Sequence, residues 1–453
     1  MKKLSSIIVI ISISLNGCSL IKQYSPSFWK ERPNVVLIII DTLRADKLGC
    51  YGFPENISPA IDQIALNGIL FENVISQCSW TRPSIGSMLT SLYPRAIGIY
   101  KEKFDILHGK YQTLAEILKA NGYYTLGITA NPNINSVFNF HQGFDDYQDS
   151  TVIWTWMKPQ KGQTTTKPGV NLHTSADIFN TALKKASTSK HFPWYIQIVV
   201  MEVHTPSIIR NEYKQLFSNY PRSQYYSAIK QVSFDIENFI QRLCSIPGWE
   251  NTLFVLTSDH GEGLDDHPDV PSSHSHGNLL YESQMRVPLI FFHTKTSRAE
   301  FKQKRIKQPV RLLDLLPTLL DYIGISPPND IEGRSLINLM KGKGEYLALP
   351  DCFVTETNWR NVSKIAIYSD RWKYIENYDN WPYVNKHELQ PMGIKENGMK
   401  TDKISSANEE VVNKLKKYLD SWQNLHIKSE STAPESMIRD REIEQLKSLG
   451  YIE

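Results

Sequence analysis

Four short apolar runs, each stopping at residues suited to metals or anions, limit what this chain can fold into. Val35 to Ile40 stops at Asp41, Tyr123 to Thr129 near Asn131, Trp194 to Met201 at Glu202 and His204, and Thr252 to Leu256 before Asp259 and His260. Each run is rich in β-branched or aromatic residues. Their lengths favour strands over buried helices, as expected in a parallel sheet covered on both faces. Helical patterns lie between them at Ser58 to Asn67, Gln112 to Asn121 and Ala228 to Leu243. Alternating strand and helix predicts a doubly wound, mostly parallel α/β sheet. In such sheets ligands bind beyond the carboxyl ends of the strands, so four polar strand ends on one edge predict a site there.

The 453 residues, 41% hydrophobic and 21% charged, suffice for one large domain and a smaller one. A net charge of +3, with no basic run interleaved with aromatics, excludes nucleic acid as the expected partner. After about residue 345 the pattern changes. Phe353 to Glu356, Lys364 to Tyr368 and Trp372 to Ile375 alternate, and Asn408 to Trp422 is amphipathic. The expected division is a main domain over 33–345 and, over 346–453, a subdomain of small antiparallel sheet plus helix. No internal repeat is visible, and nothing in the sequence sets an oligomeric state.

Lys2 and Lys3 precede an apolar stretch, Leu4 to Leu15, that is too short to span a bilayer and ends in Asn16-Gly17-Cys18. This resembles a bacterial lipoprotein signal, which implies removal of 1–17, acylation of Cys18 and a tether over 18–32. An ordinary signal peptide with an incidental cysteine is the alternative. Acylation would anchor the chain at the cell envelope through the membrane. Ser19, rather than Asp, after the cysteine points to the outer membrane, facing periplasm or exterior. Cys50, Cys78, Cys244 and Cys352 show no paired short spacing, so neither a zinc knuckle nor a disulfide scaffold is indicated, although two could pair in an exported chain.

Asp41, Asp259 and His260 offer oxygen and imidazole donors suited to one divalent ion, Zn²⁺, Mn²⁺ or Ca²⁺. Such an ion lowers the pKa of a bound hydroxyl and neutralises charge on a transferring phosphoryl or sulfuryl group. Thr81, in Ser79-Trp80-Thr81-Arg82-Pro83-Ser84-Ile85, reads as the nucleophile. Pro83 suits a first helical turn that Ser84 to Leu92 can continue, which places Thr81 at an anion-attracting helix N-terminus. A plain N-cap is the other role open to a threonine there.

The run from Asp41 through Arg44-Ala45-Asp46-Lys47-Leu48-Gly49-Cys50-Tyr51-Gly52 resembles the opening motif of sulfatases of the alkaline phosphatase superfamily. Thr257-Ser258-Asp259-His260-Gly261-Glu262-Gly263 resembles their second metal motif. His276-Gly277, Leu280-Tyr281-Glu282, Arg286-Val287-Pro288-Leu289, Leu313-Asp314-Leu315-Leu316-Pro317-Thr318 and Gly333-Arg334-Ser335-Leu336 are similar to later segments, and Leu446 to Tyr451 to the tail of some bacterial members. The resemblance implies an alkaline-phosphatase-like fold, metal ligands at Asp41, Thr81, Asp259 and His260, and a nucleophile at Thr81. It implies that His204 lies near the substrate or leaving group. His276 matches a second such histidine or a ligand of a second metal ion. Either histidine could serve as general acid. Asn131 matches a position that could donate to a substrate oxygen or simply shape a turn before Pro132. Arg82 would contact a substrate anion or be solvated, and Arg44 with Asp46 would form a buried pair shaping the loop.

The departures bear on chemistry. Sulfatases place a cysteine or serine, converted to formylglycine, where this chain has Thr81, which cannot be converted. Cys78 stands three residues too early and suits a small buried side chain. Ile85 replaces the motif arginine, Thr42 replaces an aspartate, and the Lys and His expected after Asn131 are missing. A formylglycine hydrate releases sulfate by elimination from its second hydroxyl, which threonine lacks. A phosphothreonine intermediate can instead be attacked at phosphorus by water or an acceptor alcohol. The expectation is a metal-dependent hydrolase of anionic esters, small-molecule, glycan or lipid, with phosphodiester or phosphonate esters favoured. The alternatives are a sulfatase in the strict sense, a phospho-head-group transferase, and an inactive lipid-anchored binding protein.

Overall fold

The computed structural model describes residues 32–100, 105–149, 174–189, 191–205, 207–270, 273–295, 303–343, 352–360, 362–369, 371–378, 384–392 and 408–426. The signal, Cys18, most of the tether, the expected boundary at 345/346 and the Leu446 to Tyr451 tail lie outside the described residues.

Nine strands form one sheet: β1 (Asn34–Ile40), β2 (Ile69–Ile75), β3 (Tyr124–Thr129), β4 (Asp146–Gln148), β5 (Trp194–Val200), β6 (Thr252–Thr257), β7 (Arg286–His293), β8 (Lys304–Ile306) and β9 (Val310–Arg311). Their order is β4-β3-β5-β1-β6-β7-β2-β8, with β9 also beside β2. All neighbours pair in parallel except at β7, which runs antiparallel to β6 and β2. Every residue of β1, β5 and β6 is buried, which is why these runs are mostly apolar rather than alternating. Each fully buried aliphatic side chain contributes about 1.5–3 kcal/mol, so this central trio anchors the core. β1 lies where the strand order reverses, with β5 and β3 on one side and β6 on the other. Its carboxyl end is therefore the switch point at which such sheets bind ligands.

The expected helices appear as α1 (Pro59–Leu66), α3 (Leu114–Ala120) and α5 (Ser223–Cys244); α2 (Thr81–Thr90), α4 (Ser175–Thr188) and α6 (Leu315–Tyr322) also belong to the main body. Thr113 and Glu116 form a reciprocal capping box that starts α3.

The second sheet is an antiparallel meander of β10 (Phe353–Trp359), β11 (Val362–Tyr368), β12 (Trp372–Asn377) and β13 (His387–Pro391). Leu415 and Leu419 of α7 (Glu409–Leu425) pack with Val354, Ile365, Ile367 and Tyr374 of that sheet. A second apolar cluster joins Phe353, Tyr368 and Ile375 to Ile75, Leu279, Leu280 and Met285 of the main body. Among the described residues, no helix is long and apolar enough to cross a membrane. Cys50, Cys78 and Cys244 are free thiols, and Cys78 is the small buried side chain expected.

Candidate active site

The amide of Asp41 extends the β1 ladder to Val200 O at 3.0 Å. The chain then turns sharply, with Thr42 at φ 60°, a left-handed conformation costly for a β-branched residue. That turn aims the Thr42 amide at Asp259 Oδ1 (3.3 Å) and the Leu43 amide at Ser258 Oγ (2.9 Å). The end of β6 supplies Asp259 and His260. His260 Nδ1 lies 2.9 Å from Gly261 O. A carbonyl can only accept, so Nδ1 carries the proton and Nε2 presents its lone pair. Nε2 stands 3.4 Å from Asp259 Oδ2 and 3.7 Å from Asp41 Oδ1. Both carboxylate oxygens are buried and have no hydrogen-bond partner. Burial, and then the charges of Asp259 and Glu262, push the Asp41 carboxyl well above its usual range. Two orphaned carboxylate oxygens facing an imidazole lone pair, all within 4.8 Å of one another, fit a divalent cation.

Thr81 opens α2, and Trp80, with extended backbone and no side-chain cap bond, takes the N-cap position. The plain N-cap role for Thr81 is therefore overturned. Thr81 is fully buried, with Oγ1 3.3 Å from His260 Nε2. Ser84 Oγ, one turn on, donates to Asp259 O at 2.7 Å and ties α2 to the end of β6. Asn131 Nδ2 donates to Asp41 Oδ2 and, at 3.4 Å, to Thr81 Oγ1, while its Oδ1 accepts the Asn133 amide at 2.8 Å. It shapes the turn and reaches the site at once.

Arg82 is corrected in one respect: it is fully buried, so it is not solvated. Its Nε donates to Asn133 O (3.0 Å), its Nη2 to Asn133 Oδ1 (3.1 Å), and its guanidinium lies 3.6 Å from the centre of the Phe138 ring. It thus clamps the turn that carries Asn131. Ile85, at the place of the motif arginine, is fully buried in the main core. The expected Arg44–Asp46 pair forms, at 2.9 and 2.8 Å, but only Arg44 is buried; the Asp46 side chain is 44% exposed. Arg44 also binds Asp266 Oδ2 at 2.6 Å and Glu262 O at 3.0 Å.

His204 and His276 come together with ring centres 5.0 Å apart, and His276 lies 4.6 Å from the His260 ring. Glu262, buried, faces His276 Nδ1 at 3.3 and 3.4 Å. Sequence reasoning gave Glu262 no role; its place two residues after His260 was the available signal. Burial pushes the Glu262 carboxyl up to about 7. Burial and then His276 push His204 down to about 3, and burial with His260 holds His276 well below its usual value, so both rings are neutral at pH 7. Glu202 departs from the strand-end pattern: its Oε1 accepts the Ser175 amide at the start of α4.

Comparison with known proteins fits this geometry. The sulfatase family model matches residues 33–325. The chain belongs to the sulfatase family. A second model, the C-terminal region of N-sulphoglucosamine sulphohydrolase, matches residues 275–424. Among curated sulfatases, the N-acetylgalactosamine-6-O-sulfatase of Bacteroides thetaiotaomicron is 23% identical, covering 90% of this chain and 96% of its own. The arylsulfatase of Clostridium perfringens is 22% identical over 74% of this chain and 84% of its own. Among solved structures, BT4656 with its substrate D-glucosamine-2-N,6-O-disulfate superposes with a TM-score of 0.71 at 18% identity, covering 87% of this chain and 98% of its own. The phosphonate monoester hydrolase of Agrobacterium radiobacter superposes with a TM-score of 0.69 at 16% identity, covering 87% and 96%. The fold, family and site chemistry together make this sulfatase-family chain a sulfuric or phosphoric ester hydrolase.

Proposed function

We propose that the chain hydrolyses phosphodiester or phosphonate esters through Thr81, on a small-molecule or glycan substrate. The observation that carries this reading is a lone threonine hydroxyl 3.3 Å from the lone-pair nitrogen of His260, beside the two orphaned carboxylate oxygens. Asp41, Asp259, His260 and Thr81 would hold a divalent ion, which supplies charge neutralisation and a lowered pKa for the threonine hydroxyl. Thr81 Oγ1 bonds phosphorus as the ester P–O bond breaks. Because His204 and His276 are neutral, neither starts as a stored acid. One of them takes up the threonine proton and passes it to the departing oxygen. Water then adds to phosphorus, the bond to Thr81 breaks, and the hydroxyl is restored. Asn131 Nδ2 holds Asp41 and Thr81 in register throughout. With a sulfate ester the second step would require direct attack at sulfur.

The test offers purified, metal-loaded protein 4-nitrophenyl sulfate, 4-nitrophenyl phosphate, bis-4-nitrophenyl phosphate and 4-nitrophenyl phenylphosphonate. Fastest turnover of the last two is expected. Sulfate cleavage well above the others would replace this reading with a strict sulfatase, as the names of the curated relatives suggest. No turnover and no bound metal would leave the binding-protein reading. On the same view acyl chains on Cys18 hold the enzyme at the bacterial cell envelope. The full-length protein should then enter the detergent phase on Triton X-114 separation and Cys18→Ala should not; equal partition of the two would refute the anchor.

A further inference from the structure

One imidazole fastens the last turn of α7 to the main body. His426 follows the helix. Its Nδ1 lies 2.8 Å from Trp422 O, one turn back, and its Nε2 faces Glu332 Oε1 on the segment after α6. A carbonyl oxygen can only accept, so Nδ1 carries a proton. An ionised carboxylate can only accept too, so Nε2 carries one as well. These contacts are complete only for the imidazolium. The two side chains are 20% and 22% exposed, so protons can reach the pair without unfolding of the chain.

Glu332 is fixed in place. Its Oε2 accepts the Tyr93 amide at 2.7 Å, its own amide donates to Ser91 O at 2.9 Å, and its carbonyl accepts Arg311 Nη2 at 3.1 Å. The Trp422 ring lies 4.3 Å from the His426 ring, nearly parallel at 20°, and 4.9 Å from Tyr93, edge-on. The surrounding charges pull in opposite directions. Glu332 and the carbonyl end of α7 favour the proton on His426. Arg95, with its guanidinium carbon 4.7 Å from the Trp422 ring centre, opposes it, although Arg95 is itself paired with Glu356 of β10 at 2.7 Å. Arg311 is paired with Asp314 at 2.8 Å, and burial pushes the Tyr93 phenol up, so Tyr93 stays neutral near pH 7. Burial of His426 works against its charge, but the hydrogen bonds to Glu332 and Trp422 O outweigh burial and hold the ring above its ordinary 6.5.

We propose that His426 and Glu332 form a pH-sensitive latch: the protonated imidazole closes the last turn of α7 onto the main body, and loss of its proton opens that turn. The closed state holds the proton more tightly than the open one. The contribution to closure is therefore full below pH 6.5 and is lost as pH rises through the value of the closed latch. Each unit of separation between the two values changes the closing equilibrium about tenfold. Opening frees the Trp422 indole from Tyr93 and uncovers the Arg95–Glu356 pair that ties β10 to the main body.

The experiment follows the full chain by amide hydrogen exchange between pH 6 and pH 9, corrected for the intrinsic pH dependence of exchange, while NMR titrates the His426 ring. The ring should titrate at or above about pH 7. Protection of amides 420–426 should fall at least about threefold with the same midpoint, the effect of a half-unit separation. His426→Gln should leave the turn weakly protected at every pH. Glu332→Gln should bring the ring back to about 6.5 or below and remove the pH dependence. His426→Lys, charged across the range, should keep the turn protected at pH 9. Amides of β1 are the reference, and unchanged protection there shows each variant to be folded. A wild-type His426 midpoint at or below 6.5, protection of the turn that does not vary with pH, or the same pH dependence in His426→Gln would each overturn the latch.

Discussion

At Thr81 the argument turns on one oxygen. Oγ1 is 3.3 Å from His260 Nε2 and 3.4 Å from Asn131 Nδ2, and it is fully buried. Thr81→Ala removes the proposed nucleophile, so kcat should fall at least about 10³-fold, whereas Thr81→Ser keeps a hydroxyl and should stay within about tenfold. Single-turnover assays on the two variants check this, and a Thr81→Ala enzyme with near wild-type kcat would remove Thr81 from the chemistry. A second residue makes a prediction about pH. Burial pushes the Glu202 carboxyl from an ordinary 4.5 up to about 7. The folded state then holds the proton more tightly than the unfolded one. The stability this group contributes is full below pH 4.5 and is lost as pH rises to about 7. Glu202→Gln never ionises and can still accept the Ser175 amide. It should match wild type at pH 5 and exceed it at pH 8, by on the order of 3 kcal/mol at most. Thermal melts at the two pH values decide the matter, and an equal change at both would show that titration of Glu202 is not the cause.

Elements whose burial is uniform along the chain were legible in the sequence. β1, β3, β5 and β6 lie within a residue or two of the apolar runs, because burial on both faces leaves few polar interruptions, such as Gln197 in β5 and Thr125 in β3. Strands with mixed surroundings were not. β2 carries Glu72 and Asn73 at partly buried positions, and β7 contains Pro288, a residue that normally argues against a strand inside a sheet. At the site, Asp41, Asp259 and His260 were legible because strand ends converge by topology. The burial of Arg82 was not, since its partners Asn133 and Phe138 lie some fifty residues away and nothing local announces them. The Glu262–His276 contact and the left-handed Thr42 are likewise products of tertiary packing. The same packing makes Gly277 a sensitive point. A methyl group there meets Trp359 at 2.7 Å on a backbone at φ +88°. Gly277→Ala should destabilise the protein by about 1–3 kcal/mol and shift the tryptophan fluorescence as the indole moves off the backbone. A melt and an emission spectrum indistinguishable from wild type would mean that the turn between β10 and β11 is not held there.

Across the whole molecule, one small cluster links parts far apart in sequence. Asp41 follows β1, Asp259 and His260 follow β6, Thr81 starts α2, and Asn131 follows β3. Without a cation, the carboxylates of Asp41 and Asp259 are held together in the core with one oxygen of each unsatisfied. Folding of the metal-free chain must overcome that repulsion, and a bound ion converts it to attraction. Chelation should therefore lower the melting temperature, and an ion at a hundred times its Kd should restore about 2.7 kcal/mol by mass action. Asp41→Asn separates this coupling from ordinary structural damage, because the amide keeps the shape of the side chain but drops its charge. In chelator the variant should melt above wild type, since the repulsion is gone. With saturating Mn²⁺ or Zn²⁺ the order should reverse, since the variant has lost a ligand charge and gains little from the ion. Scanning calorimetry in the two conditions reads the crossing directly. If Asp41→Asn melts below wild type by the same amount in both conditions, the Asp41–Asp259–His260 cluster stabilises the fold as a polar network and the stability of the chain is not linked to a metal.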